Sequence, residues 1–274
     1  MREHDDYGGL HRDLHATSEI RTTLLSRRGM LRALGIAGPA AVIGCTRSSS
    51  TSPSTTDTAA STSTPASACN AAPNETEGPY PGDGSNGPNV LATSGVVRSD
   101  IRSSFGGLSG TADGVPLTIA LTFLSRSSCA PLAGRAVYIW HCTRSGLYSL
   151  YSAGATDQNY LRGVQATDAN GVVSFTSIFP GCYSGRWPHI HVEVYPGVAT
   201  ATSAANKQAT TQIALPKAAC DQVYATSGYA SSVTNLAQVS LASDMVFSDG
   251  ASLELATVTG SVTGGMTAAL TFAV

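Results

Sequence analysis

Two phenols and two imidazoles, those of Tyr148, Tyr183, His189 and His191, fall close together in the chain and could converge on one metal ion. Phenolates are hard anionic oxygen donors, and together with imidazole nitrogens they select a hard, Lewis-acidic trivalent ion, ferric iron, over zinc or copper. An unperturbed tyrosine, with a pKa of about 10, is neutral at physiological pH and a poor ligand. A trivalent ion supplies the missing drive, because its charge overturns the local acid–base balance. A chain that holds non-haem Fe(III) in this way is expected to be an oxygen-using enzyme.

The spacing supports this reading. Three of the four residues sit in the run Pro180-Gly181-Cys182-Tyr183-Ser184-Gly185-Arg186-Trp187-Pro188-His189-Ile190-His191. Along a strand, alternate side chains point to opposite faces, so His189, His191 and Glu193 share one face and Ile190, Val192 and Val194 the other, core-facing one. At roughly 3.3 Å per residue, two histidines two positions apart lie near enough for both rings to reach one ion. Tyr148 follows the turn residue Gly146, and Arg186 lies three residues before His189. His141 sits in the apolar run Val137-Tyr138-Ile139-Trp140 and is expected to pack or hydrogen-bond rather than ligate.

The elements that must position these residues read as short strands. Runs rich in β-branched and aromatic residues recur at 90–97, 117–124, 135–142, 172–179, 189–195, 210–215, 252–261 and 266–274, separated by turn clusters such as Asp168-Ala169-Asn170-Gly171. No segment of this region carries a helical stripe. An all-β fold, an antiparallel β-sandwich in a single domain over residues 69–274, is the expectation.

Ahead of that domain, residues 1–45 have the order of an export signal: Ser26-Arg27-Arg28-Gly29-Met30-Leu31, then an apolar stretch from Ala33 to Ile43 too short to span a bilayer. The paired arginines read as a twin-arginine signal, which places the mature chain outside the cytoplasm. Val42-Ile43-Gly44-Cys45 resembles a lipobox, with valine where leucine is usual at its start, and on that reading a lipidated Cys45 attaches the protein to the membrane. Residues 46–68 are nearly all Ser, Thr, Ala and Pro and read as a disordered tether. From Cys69 onward 9 basic side chains face 12 acidic ones, a net of −3, and the only lysines there are Lys207 and Lys217. Nucleic acid is thereby excluded as a partner. With Cys45 set aside, Cys69, Cys129, Cys142, Cys182 and Cys220 fit two disulfides and one free thiol in an oxidising compartment, with the pairing open.

The stretch Trp140-His141-Cys142-Thr143-Arg144-Ser145-Gly146-Leu147-Tyr148-Ser149, followed by the run from Pro180 to His191, resembles the intradiol ring-cleavage dioxygenases, which include catechol and protocatechuate dioxygenases. Glu75-Thr76-Glu77-Gly78-Pro79-Tyr80 is similar to the family's N-terminal pocket segment, and Tyr160 to Asp168 to the run before its next strand. The resemblance implies cleavage of catechol-type rings between the two hydroxyl-bearing carbons, with O2, to muconate-type diacids. It implies Tyr148, Tyr183, His189 and His191 as ligands of Fe(III), Tyr183 doubling as a base, Arg186 as a catalytic cation, and Gly78, Pro79 and Tyr80 as substrate-pocket wall. The chain departs from the family in lacking an N-terminal helical segment, in a shorter interval from Tyr183 to His189, and in Cys182 where tryptophan is expected. Two other readings stay open on the residues alone: a non-catalytic exported β-sandwich binding module, and a His-x-His zinc hydrolase with Glu193 as base.

Overall fold

A computed structural model describes residues 69–274, which fall within one unit of the chain, Ala66–Val274. The twin-arginine segment, Cys45 and the tether lie outside the described residues. Eight strands form two four-stranded sheets: β1 Pro116–Leu124, β2 Ala136–Trp140, β3 Arg162–Ala166, β4 Val172–Ile178, β5 His189–Tyr195, β6 Ala209–Ala214, β7 Thr257–Ser261 and β8 Gly265–Ala273. The first sheet has the order β4-β1-β8-β7 and the second β3-β2-β5-β6. Two short helices, α1 Lys217–Tyr224 and α2 Ala230–Leu236, follow β6.

Strand alternation builds the core. Leu117, Ile119, Leu121 and Phe123 of β1, and Val173 and Phe175 of β4, join Val137 and Ile139 of β2 and Ile190, Val192 and Val194 of β5 in one buried apolar cluster between the sheets. The opposite face of the second sheet is also covered. Val90, Leu91, Val96, Phe105 and Tyr148 come from loops and pack against Ala136, Tyr138, Trp140, Val164 and Tyr195. All seven residues of β5 are therefore buried, and its polar face becomes an enclosed surface on which chemistry can be arranged.

Several expectations need correction. The second sheet is antiparallel throughout, but β1 pairs with β8 in parallel, so the first sheet is mixed. Residues 90–97 form turns instead of a strand, because Gly95 in the left-handed region and the bonds from Thr93 N to Val90 O and from Val96 N to Thr93 O fold the segment back on itself. The strand expected over 252–261 begins only at Thr257. A strand over Arg162–Ala166 and the two helices were not anticipated. The cysteines form a single disulfide among the described residues, Cys69–Cys129, and Cys142, Cys182 and Cys220 are free and buried. Among the described residues no helix is long and apolar enough to cross a membrane.

Candidate metal centre

Register places one row of side chains across the covered face of the second sheet. Arg162 of β3 lies opposite Trp140 of β2, Trp140 opposite His191 of β5, and His191 opposite Gln212 of β6. Residues directly opposite in antiparallel strands share a face, so these four form a platform. His191 stacks on Trp140 with ring centroids 4.7 Å apart and planes 3° from parallel.

Two loops bring the tyrosines to this platform. After β2 the chain turns at Gly146, whose φ of +85° suits glycine and whose missing Cβ leaves room for Tyr183; a Cβ there would lie 3.1 Å from that of Tyr183. The 143–148 loop is tied to the Pro180–Tyr183 turn by the bond from Gly181 N to Thr143 O. Tyr148 Oη then lies 3.3 Å from both His189 Nε2 and His191 Nε2, Tyr183 Oη lies 3.4 Å from His189 Nε2, and the two Nε2 atoms are 3.1 Å apart. Donors held about 2 Å from one first-row ion are separated by about 3–3.5 Å from one another, so this cluster has the dimensions of a ligand set.

The protonation states fit the same use. Trp187 O can only accept, so the His189 Nδ1 bonded to it carries the proton and Nε2 presents a lone pair. Burial, then the charge of Arg186, lowers the His189 pKa to about 3, and burial and His189 hold His191 well below the usual histidine range. Both rings are neutral donors. His191 Nδ1 is enclosed without a hydrogen-bond partner, so stacking on Trp140, not a second hydrogen bond, orients that ring. Burial, then the neighbouring Tyr183, pushes the Tyr148 phenol well above its ordinary pKa. Tyr148 is 1% exposed, and only a strong nearby cation would ionise it. Tyr183 is half-buried, beside the exposed Ser184 and Gly185.

Arg186 is buried, with Asp244 and Gln212 as its partners. It is 5% exposed, with Nε donating to Asp244 Oδ2 at 2.9 Å and Nη2 to Gln212 Oε1 at 2.7 Å. Burial works against its charge, but Tyr183 and the Asp244 carboxylate outweigh it and hold its pKa above the usual value.

A strap formed by residues 76–83 crosses the platform. Gln212 Nε2 donates to Thr76 O at 2.9 Å at one end, and at the other Arg162 donates to Tyr80 O at 2.9 Å and to Pro81 O at 2.8 Å. Between these ties Gly78, at φ +67°, passes His191 so closely that a Cβ would sit 3.4 Å from its Cε1, and the Tyr80 ring lies 4.7 Å from that of Tyr148. Gly78 and Tyr80 are thus brought to the cluster, with Pro79 between them in the chain.

Glu193, His141 and Cys182 lie outside the cluster. Glu193 is buried with Oε2 accepting from Tyr195 Oη at 2.6 Å and Oε1 from Lys207 Nζ at 3.0 Å, so both its oxygens are engaged away from the histidine pair. His141 donates from Nδ1 to Cys142 O and accepts at Nε2 from Ser177 Oγ, as a packed histidine does. Cys182 is buried in the main apolar cluster and is held by α2, its N–H donating to Ser232 Oγ and its carbonyl accepting from Asn235 Nδ2. Arg162, Gln212 and Asp244 are the polar residues of the site that the sequence reading missed. Arg162 carried a signal in the run Tyr160 to Asp168, whereas Asp244 lies 53 residues beyond His191 with nothing local to mark it.

Residues 87–216 match the family model described as Dioxygenase. Among solved structures, an intradiol ring-cleavage dioxygenase from Tetranychus urticae is similar over 75% of this chain and 94% of its own, with 25% identity and a TM-score of 0.57. A dioxygenase designated Tetur07g02040 is similar over the same shares, at 24% identity and a TM-score of 0.59. The dioxygenase domain of a fusion with a carbohydrate-binding protein from Streptomyces sp. SirexAA-E shares 24% identity over 75% of this chain and 98% of its own, with a TM-score of 0.46. No curated protein matches the chain.

Proposed function

The chain belongs to the intradiol ring-cleavage dioxygenases, and from that premise we propose that it cleaves catechol-type diols with O2 at a non-haem ferric ion held by Tyr148, Tyr183, His189 and His191. The observation that carries the reading is the meeting of two phenol oxygens and two lone-pair nitrogens within 3.1–3.4 Å in an enclosed face of the sandwich. Among the described residues no group of three or more His, Cys, Asp or Glu side chains is arranged to hold a metal ion, and Glu193 is engaged elsewhere, so the geometry does not favour the zinc hydrolase reading.

When bound, the ferric ion supplies the charge that ionises the phenols and the Lewis acidity that opens the diol to oxygen. The protein's residues divide the remaining work. Tyr148, enclosed and wedged against Tyr80, stays in place. Tyr183, half-buried beside an exposed turn, serves as the base whose Oη takes up a proton from an incoming diol hydroxyl. Arg186 stabilises negative charge gathering on the ring, the role a fixed cation fills best in a site shielded from water. Gly78, Pro79 and Tyr80 form the wall against which the ring lies, with Gly78 leaving the space beside His191.

The proposal extends to location: export by the twin-arginine route and attachment through lipidated Cys45, resting on the sequence alone. Mass spectrometry of the mature N-terminus in the native host checks it, a lipid-modified Cys45 being expected and an unmodified chain beginning elsewhere contradicting it.

Oxygen uptake by the iron-loaded protein over a panel of catechols, with Tyr148→Phe as control, tests the activity. Uptake with formation of ring-opened diacid is expected in the wild type, and at least a 100-fold loss, about 3 kcal/mol in barrier, in the variant. No uptake across the panel would leave the binding-module reading in its place.

A further inference from the structure

Asp244 is fully buried and lies beyond the residues matched by the family model, in the segment after α2. Both of its carboxylate oxygens are saturated. Oδ2 accepts from Arg186 Nε at 2.9 Å and from Trp187 N at 2.7 Å, and Oδ1 accepts from Val246 N at 2.8 Å, Phe247 N at 3.2 Å and Arg186 Nη2 at 3.4 Å. The backbone bonds from Val246 and Phe247 fix the carboxylate from its own segment. The bonds from Arg186 and Trp187 transmit that position to the turn leading into β5. Trp187 O in turn accepts from His189 Nδ1, so one carboxylate holds the guanidinium and, through a single residue, the peptide that orients a candidate ligand.

The guanidinium is clamped along one edge. Nε and Nη2 are bound by Asp244 and Gln212, while Nη1 has no acceptor among the described residues and is not one of the enclosed unpaired atoms. A fork gripped at two nitrogens can present the third in only one direction. Resting on the function proposed above, we infer that Asp244 is a positioning residue for the ring-cleavage reaction: it aims Nη1 of Arg186 at the bound diol, so the C-terminal segment completes the site.

The consequence is a dependence that runs through Arg186. Asp244→Asn keeps at Oδ1 an acceptor for Val246, Phe247 and Arg186 Nη2 but turns an N–H toward the Arg186 Nε and Trp187 donors, so the guanidinium loses its Nε anchor and with it its fixed direction. The test compares wild type, D244N, R186Q and the double variant as full-length iron-loaded proteins. For each, kcat and KM are measured from oxygen uptake with a diol, and iron content and visible absorption are recorded separately. In D244N kcat is expected to fall about 100-fold, the cost of losing one preorganised charge partner, with KM changed by less than about 3-fold and with iron and colour retained. In the R186Q background the same substitution is expected to change kcat by less than about 3-fold, because residues acting as a unit are non-additive.

Multiplicative losses in the double variant, or iron and colour lost together with activity in D244N, would overturn the inference in favour of a purely structural Asp244. Should D244N fail to fold, D244E takes its place. Its longer arm is expected to lower kcat with iron retained, and wild-type kcat in D244E would equally overturn the inference. Absence of uptake in the unsubstituted protein would sink the underlying reading and this inference with it, and is recognisable because it needs no variant.

Discussion

At the residue scale, the site rests on a few positions where size or charge leaves no alternative. Gly78 is one: it combines a φ of +67° with a Cβ path that ends 3.4 Å from His191 Cε1. Gly78→Ala is expected to cost about 1–2 kcal/mol through left-handed strain, read as a lower urea midpoint, and to raise the KM for diols by narrowing the pocket wall. Glu254 makes a separate prediction. Its Oε2 is buried without a partner, and burial followed by Glu75 raises its pKa to about 8. A carboxyl whose folded-state pKa lies above its unfolded value of about 4.3 stabilises the fold when protonated. That contribution is complete at acid pH and is lost as pH rises through about 8. Glu254→Gln should therefore melt higher than wild type near pH 8, by about 2–4 °C for each kcal/mol of relief, and the difference should vanish toward pH 5. A constant difference across that range would contradict the titration. His141, lowered to about 4 by burial, acts in the opposite sense, destabilising the fold as pH falls below the usual histidine range, and so leaves the comparison near pH 8 clear. The four side chains that cluster were legible in the sequence because two histidines two apart on a strand and two nearby tyrosines are distinctive by type. Asp244 was not, since a single aspartate in a loop says nothing about which arginine it meets.

At the scale of elements, β5 was the most legible part of the chain, its bounds His189–Tyr195 and its two faces following directly from alternation. Ile190→Ala, on the face toward the other sheet, is expected to cost about 2–5 kcal/mol as an uncollapsed cavity, measured by chemical denaturation. The strap is an element that alternation cannot reveal, because its backbone is held by side chains of distant strands and not by a ladder. Arg162 gives it two carbonyl contacts, Tyr80 O and Pro81 O, while donating outside it to Ser149 O, Ser149 Oγ and Tyr138 Oη. Arg162→Met leaves buried acceptors unpaired at about 1–3 kcal/mol each. It is expected to destabilise the fold by about 3 kcal/mol or more and to raise the KM for diols more than it lowers kcat. An unchanged KM would show that the strap does not shape the pocket. The run 90–97 misled for a related reason. Val90, Leu91 and Val96 are apolar because they roof the platform, and burial under a turn leaves the same composition as burial in a strand. Helices of 8 and 7 residues are too short to display a stripe.

For the whole molecule, composition and strand spacing identified a two-sheet β-rich domain but could not identify which strands pair in parallel. The β1–β8 pairing joins segments about 150 residues apart, and side-chain alternation is identical in parallel and antiparallel ladders. The cysteine count likewise suggested two bridges where one forms among the described residues. Cys69–Cys129 ties the start of the described chain to the loop after β1, 60 residues apart. Closing a loop of that size restricts the unfolded chain by about 4 kcal/mol in the entropic account, so Cys69→Ser with Cys129→Ser should lower the melting temperature by roughly 8–16 °C, while Cys142, Cys182 and Cys220 contribute as buried apolar groups. The central claim is that one protein chain gathers two phenolates and two imidazoles around a single ferric ion. Visible absorption of the iron-loaded protein, recorded with metal stoichiometry for wild type, Tyr148→Phe and Tyr183→Phe, tests it most directly. One iron per chain, with a red-brown tyrosinate charge-transfer band that both substitutions shift or weaken, is the expected result; a colourless protein, or a band indifferent to both tyrosines, would contradict the account.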